Sequence, residues 1–120
     1  MSDEAFFFDT YAFFEIIEGK PSYEKYKKAK AITTIFNLAE LNYALKREEK
    51  KYADEVTREY SMFLVDVNVE DIVNAMGLRI KNKKLSIPDA IGYTIAKKNN
   101  VKFLTGDKEF ETMSNAEFVK

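Results

Sequence analysis

The sequence predicts an α/β sandwich built on a mainly parallel sheet. Short apolar runs alternate with stretches of helical spacing, no run of hairpin turns intervenes, and no linker, repeat or low-complexity segment breaks the pattern. A length of 120 residues, 46% of them hydrophobic, suits one domain, expected over 1–120, that buries its core without disulfides or a structural metal.

Taken in order, Ala5-Phe-Phe-Phe8 reads as a short buried strand, and Tyr11 to Ile17 as an apolar helix closed by Gly19 and Pro21. After a basic stretch (Lys25, Lys27, Lys28, Lys30), Ala31 to Thr34 is a short strand candidate. Ile35, Leu38, Ala39, Asn42 and Leu45 then fall on one helix. Tyr52, Val56 and Tyr60 recur every fourth residue before Phe63-Leu-Val-Asp-Val67 switches to a strand-like run rich in β-formers. Val69, Ile72, Val73, Met76 and Ile80 mark a further helix, and Ile87, Ala90, Ile91, Thr94 and Ile95 another that begins near Ser86. Val101 to Thr105 is the last strand expected.

Composition narrows the chemistry. With no Cys and no His, the chain lacks thiol nucleophiles, imidazole bases and the usual zinc sites. Four scattered glycines form neither a phosphate-cradling loop nor a dinucleotide fingerprint. The acidic start and the shortness of the apolar runs predict a cytoplasmic protein without a membrane span. A net charge of -1 announces no polyanion partner, although local lysine clusters can still hold phosphate.

In parallel sheets ligands gather beyond the carboxyl ends of the strands. Asp9 directly follows the first strand, and Asp107 follows the last after Gly106, a glycine expected to let the chain turn sharply. Asp89 lies in the first turn of its helix, with Gly92 expected to leave space beside the carboxylate, and Glu40 lies at the edge of its helix's apolar stripe. Carboxylates brought together repel, and a divalent cation with oxygen ligands, Mg²⁺ or Mn²⁺, is the natural neutralising agent. Each acid taken singly has a plainer explanation. Asp9 suits the N-cap of the next helix, Ser86 to Asp89 a capping box, Asp107 the cap of a short helix through Phe110, and Glu40 an ordinary solvated position.

The four acids in context distinguish these readings. Phe7-Phe-Asp9-Thr10, Asn37-Leu-Ala-Glu40-Leu41, Ser86-Ile-Pro-Asp89-Ala90 and Leu104-Thr-Gly-Asp107-Lys-Glu-Phe110 together span nearly the whole chain, and in this order the sequence resembles the PIN domain. The resemblance implies a three-layer α/β/α sandwich and divalent-metal-dependent cleavage of single-stranded RNA. It implies Asp9, Glu40, Asp89 and Asp107 as catalytic and metal-binding residues, with Thr10, Thr105 and Glu109 in support. The length is similar to that of the VapC-type toxins of this family, which implies a small antitoxin as partner and a homodimer. Pro88 before the third acid and Glu109, where aspartate is common, depart from the family pattern.

For the RNA phosphates, Arg79, Lys81, Lys83 and Lys84 precede Asp89 closely enough to reach its rim, and the Lys25 to Lys30 cluster is a second candidate; a solvated surface explains the first cluster equally simply and the second more simply. Tyr11 and Tyr93 suit base stacking or packing. Two rival readings stand beside the nuclease. One is a phosphatase with Asp9 as nucleophile, although the usual second aspartate is replaced by Tyr11. The other is a PIN-like module that binds RNA or protein without cutting.

Overall fold

The computed structural model describes residues 4–120, so residues 1–3 of the expected domain lie outside it. The three consecutive phenylalanines of β1 (Ala5–Phe8) separate the layers. Side chains alternate across a strand, so Phe6 and Phe8 enter one apolar core while Phe7 enters another on the opposite face. Hydrophobic on both faces, β1 must lie inside a sheet covered twice.

That sheet is four-stranded and parallel, in the order β2-β1-β3-β4, where β2 is Lys30–Ile32, β3 is Lys102–Thr105 and β4 is Ala116–Phe118. Phe7 stands opposite Ile32 on one side and Phe103 on the other. Helices α1 (Thr10–Ile17), α2 (Ile35–Arg47) and α3 (Ala53–Glu59) pack on the Phe6/Phe8 face, through Phe13, Leu38, Leu41, Leu45 and Ala53. Helices α4 (Val69–Lys81) and α5 (Ile87–Lys98) cover the Phe7 face through Ala75, Ile91 and Ile95. The result is the expected α/β/α sandwich. From β1 the chain turns to β2 on one side while β3 docks on the other, so a crevice opens at the carboxyl ends of β1 and β3.

Several local expectations change. Phe63 to Val67 is not a strand: Tyr60–Phe63 winds into a 3-10 turn, and only Leu64 bridges Thr33, through Thr33 N–H to Phe63 O at 3.0 Å and Val65 N–H to Thr33 O at 2.9 Å. Its neighbour β2 is three residues long and therefore leaves little edge to pair with. The strand expected over Ala31 to Thr34 ends at Ile32, because the Thr33 hydroxyl donates to Phe8 O and Thr34 caps α2. The basic stretch winds into a 3-10 helix, Pro21–Lys28, that buries Tyr23 and Tyr26. β4 was not expected. Gly92 does not make room beside Asp89: a Cβ there would lie 2.8 Å from the Phe7 ring and 3.0 Å from that of Phe103, so the glycine lets α5 approach the sheet. Among the described residues no helix is long and apolar enough to cross a membrane.

Candidate active site

Each of the four acids is held by the local structure its sequence position dictates. Asp9 ends β1 and caps α1, accepting from Ala12 N–H through Oδ1 at 2.7 Å. Asp89 completes a capping box with Ser86, whose N–H donates to Oδ2 at 3.3 Å while Ser86 Oγ accepts from Asp89 N–H at 3.1 Å. Asp107 follows β3 and caps the short 3-10 helix Lys108–Phe110, accepting from Glu109 N–H at 2.9 Å. Glu40, on α2, accepts from the Thr10 hydroxyl at 2.8 Å. The capping explanation for the aspartates is thus structurally correct. It does not compete with a site, because a carboxylate offers about four lone-pair positions and a cap occupies one.

All four acids line one open cleft of about 810 Å³, between the first turn of α1, the outer face of α2, the start of α5 and the loop after β3. Burial pushes the Asp9 carboxyl up to about 8, against the pull of the Thr105 hydroxyl and the Ala12 N–H, and the charges of Asp89 and Asp107 push it further. Burial likewise raises Asp89 to about 6, with Glu40 and Asp107 adding to the rise. The carboxylates therefore feel one another across the cleft, and among the described residues none of the four is ion-paired with a lysine or arginine.

Among the described residues no three acids close on a common point tightly enough to form a ready-made metal cage. The donor set is nevertheless oxygen-only, converges from four elements and includes a buried carboxyl that takes either a proton or a cation. Those properties fit a hard divalent ion that draws the ligands together.

Of the supporting residues, Thr10 donates to Glu40 and to Asn37 O, and Thr105 Oγ1 accepts from Asp107 N–H at 3.0 Å. Glu109 contributes its backbone N–H to Asp107, while its side chain is exposed and outside the cleft wall. Arg79, Lys81, Lys83 and Lys84 also lie off that wall, and the Arg79 Nε donates to Leu85 O at 3.0 Å. Lys25 and Lys28 border a different depression, with Glu4 at the amino end of β1. Tyr93 is a packing residue: buried, it donates its hydroxyl to Ser114 O.

The cations on the cleft wall are Arg47 and Lys108, which sequence reasoning missed, together with Tyr43, Glu15 and Glu48. The only sequence signal for Tyr43 and Arg47 is that they share one face of α2 with Glu40 and Ala44. Tyr11 lines the opposite wall with its ring against Gly106, where a Cβ would come within 2.1 Å of it. Gly106 is thus required for close approach, and its φ is not in the left-handed region.

Compared with known proteins, residues 6–116 match the family model described as PIN domain. Comparison with curated protein sequences gives no match. Among solved structures, the toxin VapC20 of Mycobacterium tuberculosis, described as cleaving the sarcin-ricin loop, aligns with a TM-score of 0.78 and 15% identity over 96% of this chain and 99% of its own. A toxin-antitoxin complex from Klebsiella pneumoniae gives 0.69 and 19% over 93% and 95%. VapBC2 of Rickettsia felis, bound to a promoter DNA fragment, gives 0.67 and 17% over 97% and 99%.

Proposed function

Because the chain belongs to the PIN domain family, we propose that it is a divalent-metal-dependent endoribonuclease that cleaves single-stranded RNA and acts as the toxin of a toxin-antitoxin pair. One observation carries the reading: four acids from four separate elements converge, free of ion pairs with lysine or arginine among the described residues, on the cleft at the sheet's switch point. A helix cap explains an aspartate, but not why three caps and Glu40 share one cleft. The toxin role is supported by the likeness to toxin structures, and a small antitoxin and a homodimer belong to the same reading.

Asp9, Glu40, Asp89 and Asp107 would hold Mg²⁺ or Mn²⁺. When bound, such an ion lowers the pKa of water and stabilises charge on phosphoryl oxygens. Thr10 orients Glu40, Ser86 orients Asp89, and Thr105 fixes the backbone that carries Asp107. The Thr10 bond to Glu40, with the N–H groups of Ala12, Ser86 and Glu109 on Asp9, Asp89 and Asp107, holds each carboxylate in place before the substrate arrives. A carboxylate of the same set accepts the proton of the water that attacks phosphorus.

The test is cleavage of a labelled single-stranded RNA by purified protein with Mn²⁺, with excess chelator, and with Mn²⁺ restored. Cleavage that stops with chelator and returns with metal is expected. Cleavage undiminished by chelator contradicts the metal mechanism, RNA binding without cleavage favours the binding module, and a trapped aspartyl-phosphate favours the phosphatase.

A further inference from the structure

Tyr43 is 65% exposed on the outer face of α2, three residues beyond Glu40 and within the same cleft wall. A single exposed tyrosine is ordinary. This one differs because its ring carries the Arg47 guanidinium at 5.4 Å from the centroid, and Arg47, also on the wall, makes no ion pair among the described residues. The acid nearest to it in sequence on the wall is the exposed Glu48; Glu15, on α1, is occupied by Lys20 at 3.1 Å. Along the helix axis Tyr43 lies ~4.5 Å and Arg47 ~10.5 Å from Glu40. These spacings are on the scale of one nucleotide, so this face is within reach of the nucleotide next to a phosphate placed at the acids.

We propose that Tyr43 stacks the base flanking the scissile phosphate and that Arg47 holds that nucleotide's outer phosphate, so that the α2 wall selects unpaired nucleic acid. The proposal rests on the nuclease reading of the acidic cleft. Stacking needs a base free of its complement, and an aromatic face accepts any base; the wall therefore favours single strands over duplex without reading sequence. The guanidinium lies over one face of the ring, so the base takes the opposite face, and a planar fork suits phosphate better than a lysine does.

The experiment measures anisotropy of a fluorescein-labelled single-stranded decauridylate and of an abasic strand of equal length, in Ca²⁺, with cleavage in Mn²⁺ followed in parallel. The parent is expected to favour the strand with bases. Tyr43→Ala should weaken that strand by roughly 5- to 150-fold, leave the abasic strand unaffected and raise KM for cleavage; Tyr43→Trp should restore the preference. Arg47→Gln should weaken both strands alike and flatten the slope of log K against log salt by about 0.7, the value for one single-strand phosphate contact. The proposal is overturned if the parent binds neither strand or does not distinguish them, or if Tyr43→Ala binds and cleaves like the parent. It is also overturned if the Tyr43 and Arg47 substitutions impair only binding of a protein partner. A parent that cleaves while Tyr43→Ala retains the parental KM defeats this proposal and leaves the nuclease reading standing. Tyr43-dependent binding without any metal-dependent cleavage contradicts the nuclease reading and, with it, a place for Tyr43 beside a scissile phosphate.

Discussion

Asp9 caps α1 through one oxygen while the charges of Asp89 and Asp107 act on it across the cleft, so the carboxylate that starts a helix also sits in an acidic field. Its folded pKa of about 8 lies above the ordinary carboxyl value, which means the folded protein binds a proton that the unfolded chain releases. Metal-free stability should therefore fall as pH rises from about 4 through about 8, with Asp89 contributing over the lower part of that window up to about 6. Thermal melts in chelator should show this decline. Saturating Mn²⁺ should cancel it, and Asp9→Asn should flatten it. A steeper decline in Asp9→Asn would contradict the assignment. The two glycines facing the core and the cleft make a second residue-level contrast. Gly92→Ala drives a methyl into the buried rings of Phe7 and Phe103 and should cost about 1–3 kcal/mol in urea unfolding. Gly106→Ala meets the half-exposed Tyr11 ring, which can swing into the cleft; stability should hold while RNA binding weakens. Equal destabilisation by the two substitutions would contradict this distinction. The shared cleft of the four acids was foreshadowed by the order and context of their motifs, which resemble the PIN domain, since position alone reads each as a cap or a solvated residue. Tyr43, Arg47 and Lys108 were not foreshadowed, since an exposed side chain's neighbours across the fold leave no mark on local periodicity.

At the scale of elements, caps and strand lengths separate what sequence shows from what it hides. The helices α4 and α5 begin at capping boxes, Asn68 with Asp71 and Ser86 with Asp89, and their apolar spacing marks them clearly. In α4 the Asn68 N–H donates to Asp71 at 2.9 Å and Lys98 of α5 pairs with the same carboxylate at 3.1 Å, so one buried acid starts α4 and ties it to α5. The Asn68 hydrogen bond, followed by Lys98, holds Asp71 below its ordinary pKa despite burial. A depressed folded pKa means this stabilisation is present above the unfolded carboxyl value and is lost as pH falls through the folded one. Asn68→Ala should remove about 1 kcal/mol at neutral pH, the usual worth of such a cap, and chemical denaturation reads it directly. A loss within 0.3 kcal/mol of zero, on the order of the error for an exposed site, would mean the box contributes nothing. β4 escaped sequence reading because its three residues, Ala-Glu-Phe, are too few for a period of two to show. Phe63 to Val67 has the composition of a strand, but composition cannot reveal that its single rung is to Thr33, just past the end of β2.

For the molecule as a whole, alternating strands and helices were enough to predict a parallel sheet, because parallel neighbours need crossover helices. The order β2-β1-β3-β4 was not legible, since no local pattern says on which side of β1 the chain docks β3. Yet that order is what brings Asp9 and Asp107 side by side and makes the crevice into which α2 and α5 deliver Glu40 and Asp89. Function in this account therefore belongs to the topology as much as to the acids. The most direct test is single-turnover cleavage of one fluorescent single-stranded RNA at saturating Mn²⁺ by the parent and by Asp9→Asn, Glu40→Gln, Asp89→Asn and Asp107→Asn, each checked for folding by its melting curve. The account predicts that every folded variant cleaves at least ~100-fold more slowly than the parent, the scale expected when a preorganised charge is removed from a reaction centre. Parental rates in folded Asp9→Asn and Asp107→Asn would contradict it.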